Sequence, residues 1–128
     1  MMNHFGHMDI RVTDMETAMP FYSAVLPSLG LTREYHGAKW KVFASEDPLP
    51  HTAYFAITED PNHRPNANRI AFWAENREQV DQIAEVLREV NAKITSGPQL
   101  FPEYSNTYYA VYFEDPCGNR LEVVHRTD

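Results

Sequence analysis

Apolar residues recur along this chain at two spacings, one helical and one strand-like. Ala18, Phe21, Tyr22, Val25, Leu26 and Leu29 follow the i, i+3, i+4, i+7 rhythm of one helix face. Asp14 or Thr17 is placed to cap that helix, Pro20 falls near its first turn, and Gly30 suits the residue after its end. Pro27, which has no N–H to donate, is expected to distort the last turn. A second stripe of Val80, Ile83, Ala84, Leu87 and Val90 predicts another helix, opened by a capping box of Asn76 and Gln79. Strand-like alternation occupies 7–13, 31–36, 39–45 and 51–58, then 69–75, 93–95, 107–115 and 119–126. The turn Asp115-Pro116-Cys117-Gly118-Asn119 joins the last two strands, and 59–68, rich in Pro, Asn and Asp, reads as a linker.

The two helices superimpose at an offset of 62 positions, with Ala18 on Val80, Phe21 on Ile83, Tyr22 on Ala84 and Val25 on Leu87. The caps Asp14 and Asn76 match, the strand 7–13 falls on 69–75, and Gly30-Leu31 falls on Ala92-Lys93. Strand, cap and stripe in one register predict a duplicated unit. The expected architecture is a single α+β domain over residues 1–128, built of two βαβββ modules at about 5–58 and 69–126. Neither half holds enough apolar residues for a core of its own, so the two are expected to pack together.

Strand alternation then sorts side chains by face. Met8, Ile10 and Val12 oppose His7, Asp9 and Arg11; Ile70, Phe72 and Ala74 oppose Arg69, Ala71 and Trp73; Leu121 and Val123 oppose Arg120, Glu122 and Val124. The apolar sets are expected beneath the helices. The mixed sets, which contain His7, Arg69 and Glu122, are expected to share the opposite, concave face. Trp73, Tyr54, Tyr108 and Tyr112 fall on or near that side, and aromatics mixed with a few charges describe a small-molecule pocket better than a solvated sheet face.

Composition narrows the partners. The 128 residues are 43% hydrophobic and 23% charged, as in ordinary globular proteins. Eleven basic against eighteen acidic residues give a net charge of −7, which argues against nucleic acid and anionic membrane surfaces. The single cysteine, Cys117, excludes an internal disulfide and a multi-cysteine zinc site. No leader-like segment and no apolar run of about 18 residues is visible, so a cytoplasmic protein is expected.

Several motifs carry a resemblance to a known family. Gly6-His7-Met8-Asp9-Ile10-Arg11-Val12-Thr13-Asp14 resembles the opening strand and cap of the vicinal oxygen chelate superfamily, which includes glyoxalase I, extradiol dioxygenases, fosfomycin-resistance enzymes and bleomycin-binding proteins. Phe21-Tyr22 followed by Leu29-Gly30-Leu31 resembles its first helix, Arg69-Ile70-Ala71-Phe72 stands where it often reads His-Ile-Ala-Phe, and residues 113–123 resemble its closing hairpin. The resemblance implies two βαβββ modules forming a curled mixed sheet around a concave cavity, often completed in a homodimer. It places a metal ligand at His7 and another, or a catalytic carboxylate, at Glu122. A third ligand position holds Arg69, and the fourth, near 54–56, has no carboxylate. A divalent metal is therefore a candidate cofactor with an incomplete ligand set, because a catalytic ion wants at least three protein ligands and arginine has no lone pair to give. Arg69 instead reads as a replacement for the metal's charge, as a bidentate partner of Glu122 or as a binder of an anionic head group.

Other candidates read as structural. His51, at the mouth of a strand, and His125 are conceivable replacement ligands, but His125 lies opposite Glu122 by alternation. Asp14 caps a helix, Asp115 with Gly118-Asn119 makes a turn, Cys117 has no activating neighbour, and His4, His36 and His63 are expected in solvent. Tyr104, Tyr108 and Tyr109 follow Pro98 and Pro102 in a loop that either covers the cavity mouth or packs on itself. Two functions from different classes follow: a metal-dependent lyase, isomerase or dioxygenase using His7 and Glu122, or a metal-free protein that binds a small molecule in the concave face. Tyr54, Arg69, Trp73, Tyr108 and Tyr112 are the expected ligand-binding residues.

Overall fold

The computed structural model describes residues 3–128. The opening Met1-Met2, on which the leader-free reading partly rests, lies outside them. Among the described residues no helix is long and apolar enough to cross a membrane. The chain divides into two compact units, one ending at Arg64 and the other beginning at Pro65.

The first unit runs β1 (His7–Val12), α1 (Met15–Ser28), β2 (Arg33–His36), β3 (Trp40–Ala44) and β4 (Tyr54–Glu59). The second repeats that order as β5 (Arg69–Trp73), α2 (Arg77–Glu89), β6 (Lys93–Leu100), β7 (Tyr109–Glu114) and β8 (Arg120–His125). Each unit builds its own four-stranded sheet, ordered β1-β4-β3-β2 in one and β5-β8-β7-β6 in the other. The first and last strands of each unit pair parallel, and the remaining pairs are antiparallel. The duplication read from the sequence is thus a duplication of topology.

The helices form for the reasons their sequences give. Asp14 caps α1 by accepting from the Thr17 N–H, which decides between the two candidate caps, and the predicted face buries Ala18, Phe21, Tyr22, Val25 and Leu26. Pro20 sits inside the helix, a turn later than expected. The end closes with Gly30 N–H on the Pro27 carbonyl at 3.0 Å and Leu31 N–H on the Leu26 carbonyl at 3.1 Å, Gly30 taking φ +92°. In α2 the Asn76 side chain accepts from Gln79 N–H at 2.8 Å. The Gln79 side chain reaches one residue beyond its expected partner, accepting from Glu75 N–H at 2.7 Å. Asn91, at φ +56°, takes the left-handed position after this helix. Gly30 and Asn91 are one residue out of the 62-residue offset, because α1 has 14 residues and α2 has 13. The expected match of Gly30-Leu31 with Ala92-Lys93 slips by that one position.

Burial along β1 alternates as predicted, with Met8 and Ile10 half-buried, Val12 buried, and His7, Asp9 and Arg11 exposed. In β8 the alternation disappears, since Leu121, Glu122, Val123 and Val124 are all buried. This strand lies inside its sheet between β5 and β7. On the face opposite α2, Val124 also packs with Phe101, Ala110 and Tyr112.

The expected short strand 93–95 extends to Leu100, with register shifts on either side of Ser96. Gly97 sits in the second irregularity at φ +82°, and a Cβ there would stand 2.3 Å from the Ala110 carbonyl oxygen. Gly97→Ala is therefore expected to cost about 2 kcal/mol or more, from the strained backbone and the clash together. Gly6→Ala, with nothing within 4 Å, is expected to be neutral. Urea unfolding of the two variants beside the parent chain measures the difference.

Candidate functional site

The buried carboxylate of Glu122 organises the polar face of the second sheet. Glu122 faces Ala71 across the parallel pair and Tyr112 across the antiparallel one, so residues of three strands meet around it. Its side chain is only 3% exposed. An isolated charge in such a position costs several kcal/mol, and partners must offset that. Arg69 Nε approaches Oε1 at 3.1 Å, and the Tyr108 hydroxyl donates to Oε2. The expected two-nitrogen fork from Arg69 is therefore replaced by an ion-pair contact on one oxygen and a phenolic hydrogen bond on the other.

Aromatic rings complete the arrangement. The Arg69 guanidinium lies 4.7 Å above the Tyr112 ring, whose edge meets Phe101 at 4.9 Å. The segment between β6 and β7 folds back through a hydrogen bond from Phe101 N–H to the Tyr108 carbonyl at 2.8 Å, which brings Tyr108 over Glu122. Tyr104 leans on Tyr108 at 5.1 Å and stays exposed. Tyr109 turns away instead, donating to Asp81 of α2 at 2.7 Å with Arg77 over its ring at 5.4 Å. So this loop divides: Tyr108 joins the polar face and Tyr109 ties β7 to the helix.

The phenols are tuned by their surroundings. Burial, then the hydrogen bond to Glu122 and its charge, push Tyr108 above the ordinary phenol value. Burial and the same carboxylate push Tyr112 higher still, with the neighbouring Tyr108 hydroxyl adding to the shift; the buried Tyr112 hydroxyl makes no well-formed hydrogen bond among the described residues. For Tyr109 the hydrogen bond to Asp81 is the leading cause of a raised value. All three stay protonated throughout the physiological range.

The remaining candidates fall elsewhere. Trp73 is exposed on β5 and carries the Arg126 guanidinium 5.0 Å above its ring. His125 points away from Glu122 and shares a hydrogen bond with the Ala74 carbonyl at 3.0 Å, the structural role expected of it. His51 lies in the loop before β4, not on the strand, with its N–H bonded to the Pro48 carbonyl. Asp115 holds the final turn by accepting from the N–H groups of Cys117 and Asn119 at 2.9 and 2.8 Å.

His7 and Tyr54 belong to the first unit, where register pairing stacks their rings 4.4 Å apart and within 2° of parallel. Tyr54 also lines a hollow of about 770 Å³ with Tyr35, Trp40, Val42 and Leu49, at whose rim stands Arg33. Sequence reasoning missed this hollow. Strand alternation does place Tyr35, Val42, Ala44 and Tyr54 on one face, but the wall supplied by 46–52 is a loop without periodicity.

Residues 4–123 match the family model of the glyoxalase/bleomycin resistance protein/dioxygenase superfamily. The uncharacterized protein YqjT of Bacillus subtilis (strain 168) is 27% identical over 129 residues, covering 92% of this chain and 95% of that protein. A glyoxalase/bleomycin resistance protein from Albidiferax ferrireducens T118 aligns with a TM-score of 0.78 and 25% identity, over 98% of this chain and all of that one. The fosfomycin resistance protein FosX from Mesorhizobium loti shares the fold, with a TM-score of 0.70 and 22% identity over 99% and 95% of the two chains.

Removing the Tyr108 hydroxyl strips one partner from a buried carboxylate. Tyr108→Phe is expected to lower stability by about 1–3 kcal/mol, read from urea midpoints at neutral pH. A raised phenol pKa adds stability that is intact below about pH 10, where the unfolded chain's tyrosines begin to ionise, and is lost as pH climbs beyond that. Phenolate absorbance from Tyr108, Tyr109 and Tyr112 is expected to appear above the ordinary phenol range. The alkaline fall in stability should shrink in Tyr112→Phe.

Proposed function

The chain belongs to the glyoxalase/bleomycin resistance protein/dioxygenase superfamily, and on that premise we propose that its second unit binds a small molecule without a metal. The ligand would lie on the polar face of β5, β8 and β7, with the Arg69–Glu122 ion pair standing where metal-dependent members of the superfamily hold a cation. The observation that carries this reading is the engagement of both Glu122 oxygens, Oε1 by Arg69 and Oε2 by Tyr108.

A carboxylate that ligates a metal directs a lone pair at the ion. Here a fixed positive charge occupies that approach, and a guanidinium offers five donors and no acceptor. A divalent cation beside it would meet repulsion across a few ångströms of partly desolvated protein. Arg69 supplies the counter-charge that a buried Glu122 requires, so this donor set does not fit a divalent ion in this unit.

The rest of the face suits a compact molecule with aromatic or polar character. Tyr108 offers ring surface, Tyr112 lies beneath the Arg69 guanidinium as part of the floor, and Trp73 extends the aromatic strip along β5. In a catalytic role Glu122 is the group placed to move a proton, through the Tyr108 hydroxyl bound to its Oε2. Tyr54 offers its ring to a ligand in the first unit's own hollow.

Elemental analysis of protein purified without a histidine tag tests the reading, with Arg69→His measured in parallel. The parent chain is expected to carry metal well below one equivalent, and the variant, which restores an imidazole lone pair, is expected to retain more. Stoichiometric metal in the parent would show that the ion pair gives way to a metal site, and the reading would be lost.

A further inference from the structure

The line of residues at the start of β5 carries charge that the Arg69–Glu122 pair does not exhaust. Arg69 is the register partner of Arg120, Arg120 of Glu114, and Glu114 of Lys93. Four side chains from four neighbouring strands therefore stand in one row on one face of the sheet. Three are cations and one is a carboxylate. Glu114 pairs with Lys93 at 3.6 Å, and Glu122, from the next row, pairs with Arg69 at 3.1 Å. Arg120 stands between these two satisfied pairs, is exposed, and its side chain has no ion pair or hydrogen bond among the described residues.

Like charges directly opposite on adjacent strands repel, so folding alone does not favour Arg120 beside Arg69. The chain as a whole carries a net charge of −7, which makes a local surplus of cations a departure from its surroundings. A cleft of about 250 Å³ opens at this row, lined by Arg69, Arg120, Thr95, Tyr112 and Glu114. That volume suits a head group and not a whole drug-sized ligand. Arg69 turns Nε toward Glu122 while its side chain stays 40% exposed, which leaves guanidinium N–H donors for a ligand. Thr95, at the register irregularity of β6, adds a hydroxyl, and the charge of Glu114 is answered by Lys93.

We propose that this cleft is an oxyanion site, in which Arg120 and Arg69 together clamp the phosphate, phosphonate or carboxylate head group of the bound small molecule. Two guanidiniums side by side match such a group because each presents parallel N–H donors to its oxygens. The body of the molecule extends from the cleft toward Tyr108, so the proposal rests on the small-molecule reading of this face. Arg120 is a specificity residue here: it selects acidic ligands, whereas the aromatic strip accepts neutral ones.

Titration of the full chain with inorganic phosphate, phenylphosphonate and benzyl alcohol, followed by calorimetry and by the NMR signals of the arginine Nε–H groups, separates these contributions. Phenylphosphonate is expected to bind more tightly than phosphate. Arg120→Gln is expected to weaken both anions about tenfold or more, with Arg120→Lys between, while benzyl alcohol binds unchanged. Arg120 is exposed, so an unchanged urea midpoint is expected to show that the variants fold. Phosphate and phenylphosphonate binding equally to the parent chain and to Arg120→Gln, or binding to neither, would overturn the oxyanion site. Arg120-dependent phosphate binding with no affinity for benzyl alcohol, and no gain for phenylphosphonate, would retain the site and remove the small-molecule reading of the face. Benzyl alcohol binding while both anions fail would do the reverse.

Discussion

A carboxylate inside a sheet must be answered, and the answer given to Glu122 sets the character of the second unit. Its place on an inner strand puts it beyond the reach of bulk water. The desolvation penalty for a lone charge there would consume much of the stability of a domain this size. Arg69 and Tyr108 remove that penalty by occupying one oxygen each. Their positions follow from separate causes: Arg69 from strand register, and Tyr108 from a loop that folds back between Phe101 and Tyr108. Once those two are fixed, Tyr112 is stacked beneath the guanidinium and Phe101 against Tyr112, so the ion pair and the aromatic cluster hold one another in place.

The duplicated topology makes the divergence of the two units informative. Position 7 and position 69 open equivalent strands, one with an imidazole and one with a guanidinium. In the first unit the opening residue lies against an aromatic partner, with His7 stacked on Tyr54. In the second it is drawn toward a carboxylate. The same backbone frame thus presents an apolar hollow in one unit and a charged cleft in the other. That difference is chemical and not topological, which is what a superfamily built on one module and many activities requires.

Much of the fold was legible because its signals are local and repeated. Helix stripes, N-terminal caps and the strand 7–13 recur at a constant offset, and each states a physical requirement of a βαβββ unit. Element ends were read less well. The extension of β6 to Leu100 depends on a bulged pairing with β7 that no local pattern declares, and the burial of both faces of β8 depends on a loop distant in sequence. For the site, alternation placed Arg69, Glu122 and Tyr112 on one face. Alternation along 107–115 sets Tyr108 and Tyr109 on opposite faces, but it could not name Glu122 and Asp81 as their partners, because those lie in other elements.

The sequence by itself determined the module, its repetition, and which side chains share a sheet face, since those depend on periodicity and on caps within a few residues. It also determined that position 69, the counterpart of His7 at the 62-residue offset, holds an arginine. Only the tertiary structure decided that this arginine and the buried carboxylate are partners, that a tyrosine takes the second oxygen, and that the Arg120 side chain has no ion pair among the described residues. Such pairings depend on register between strands some fifty residues apart and on how loops close over them. Charge satisfaction is settled in space, by which groups arrive within about 3–4 Å of each other, and not along the chain.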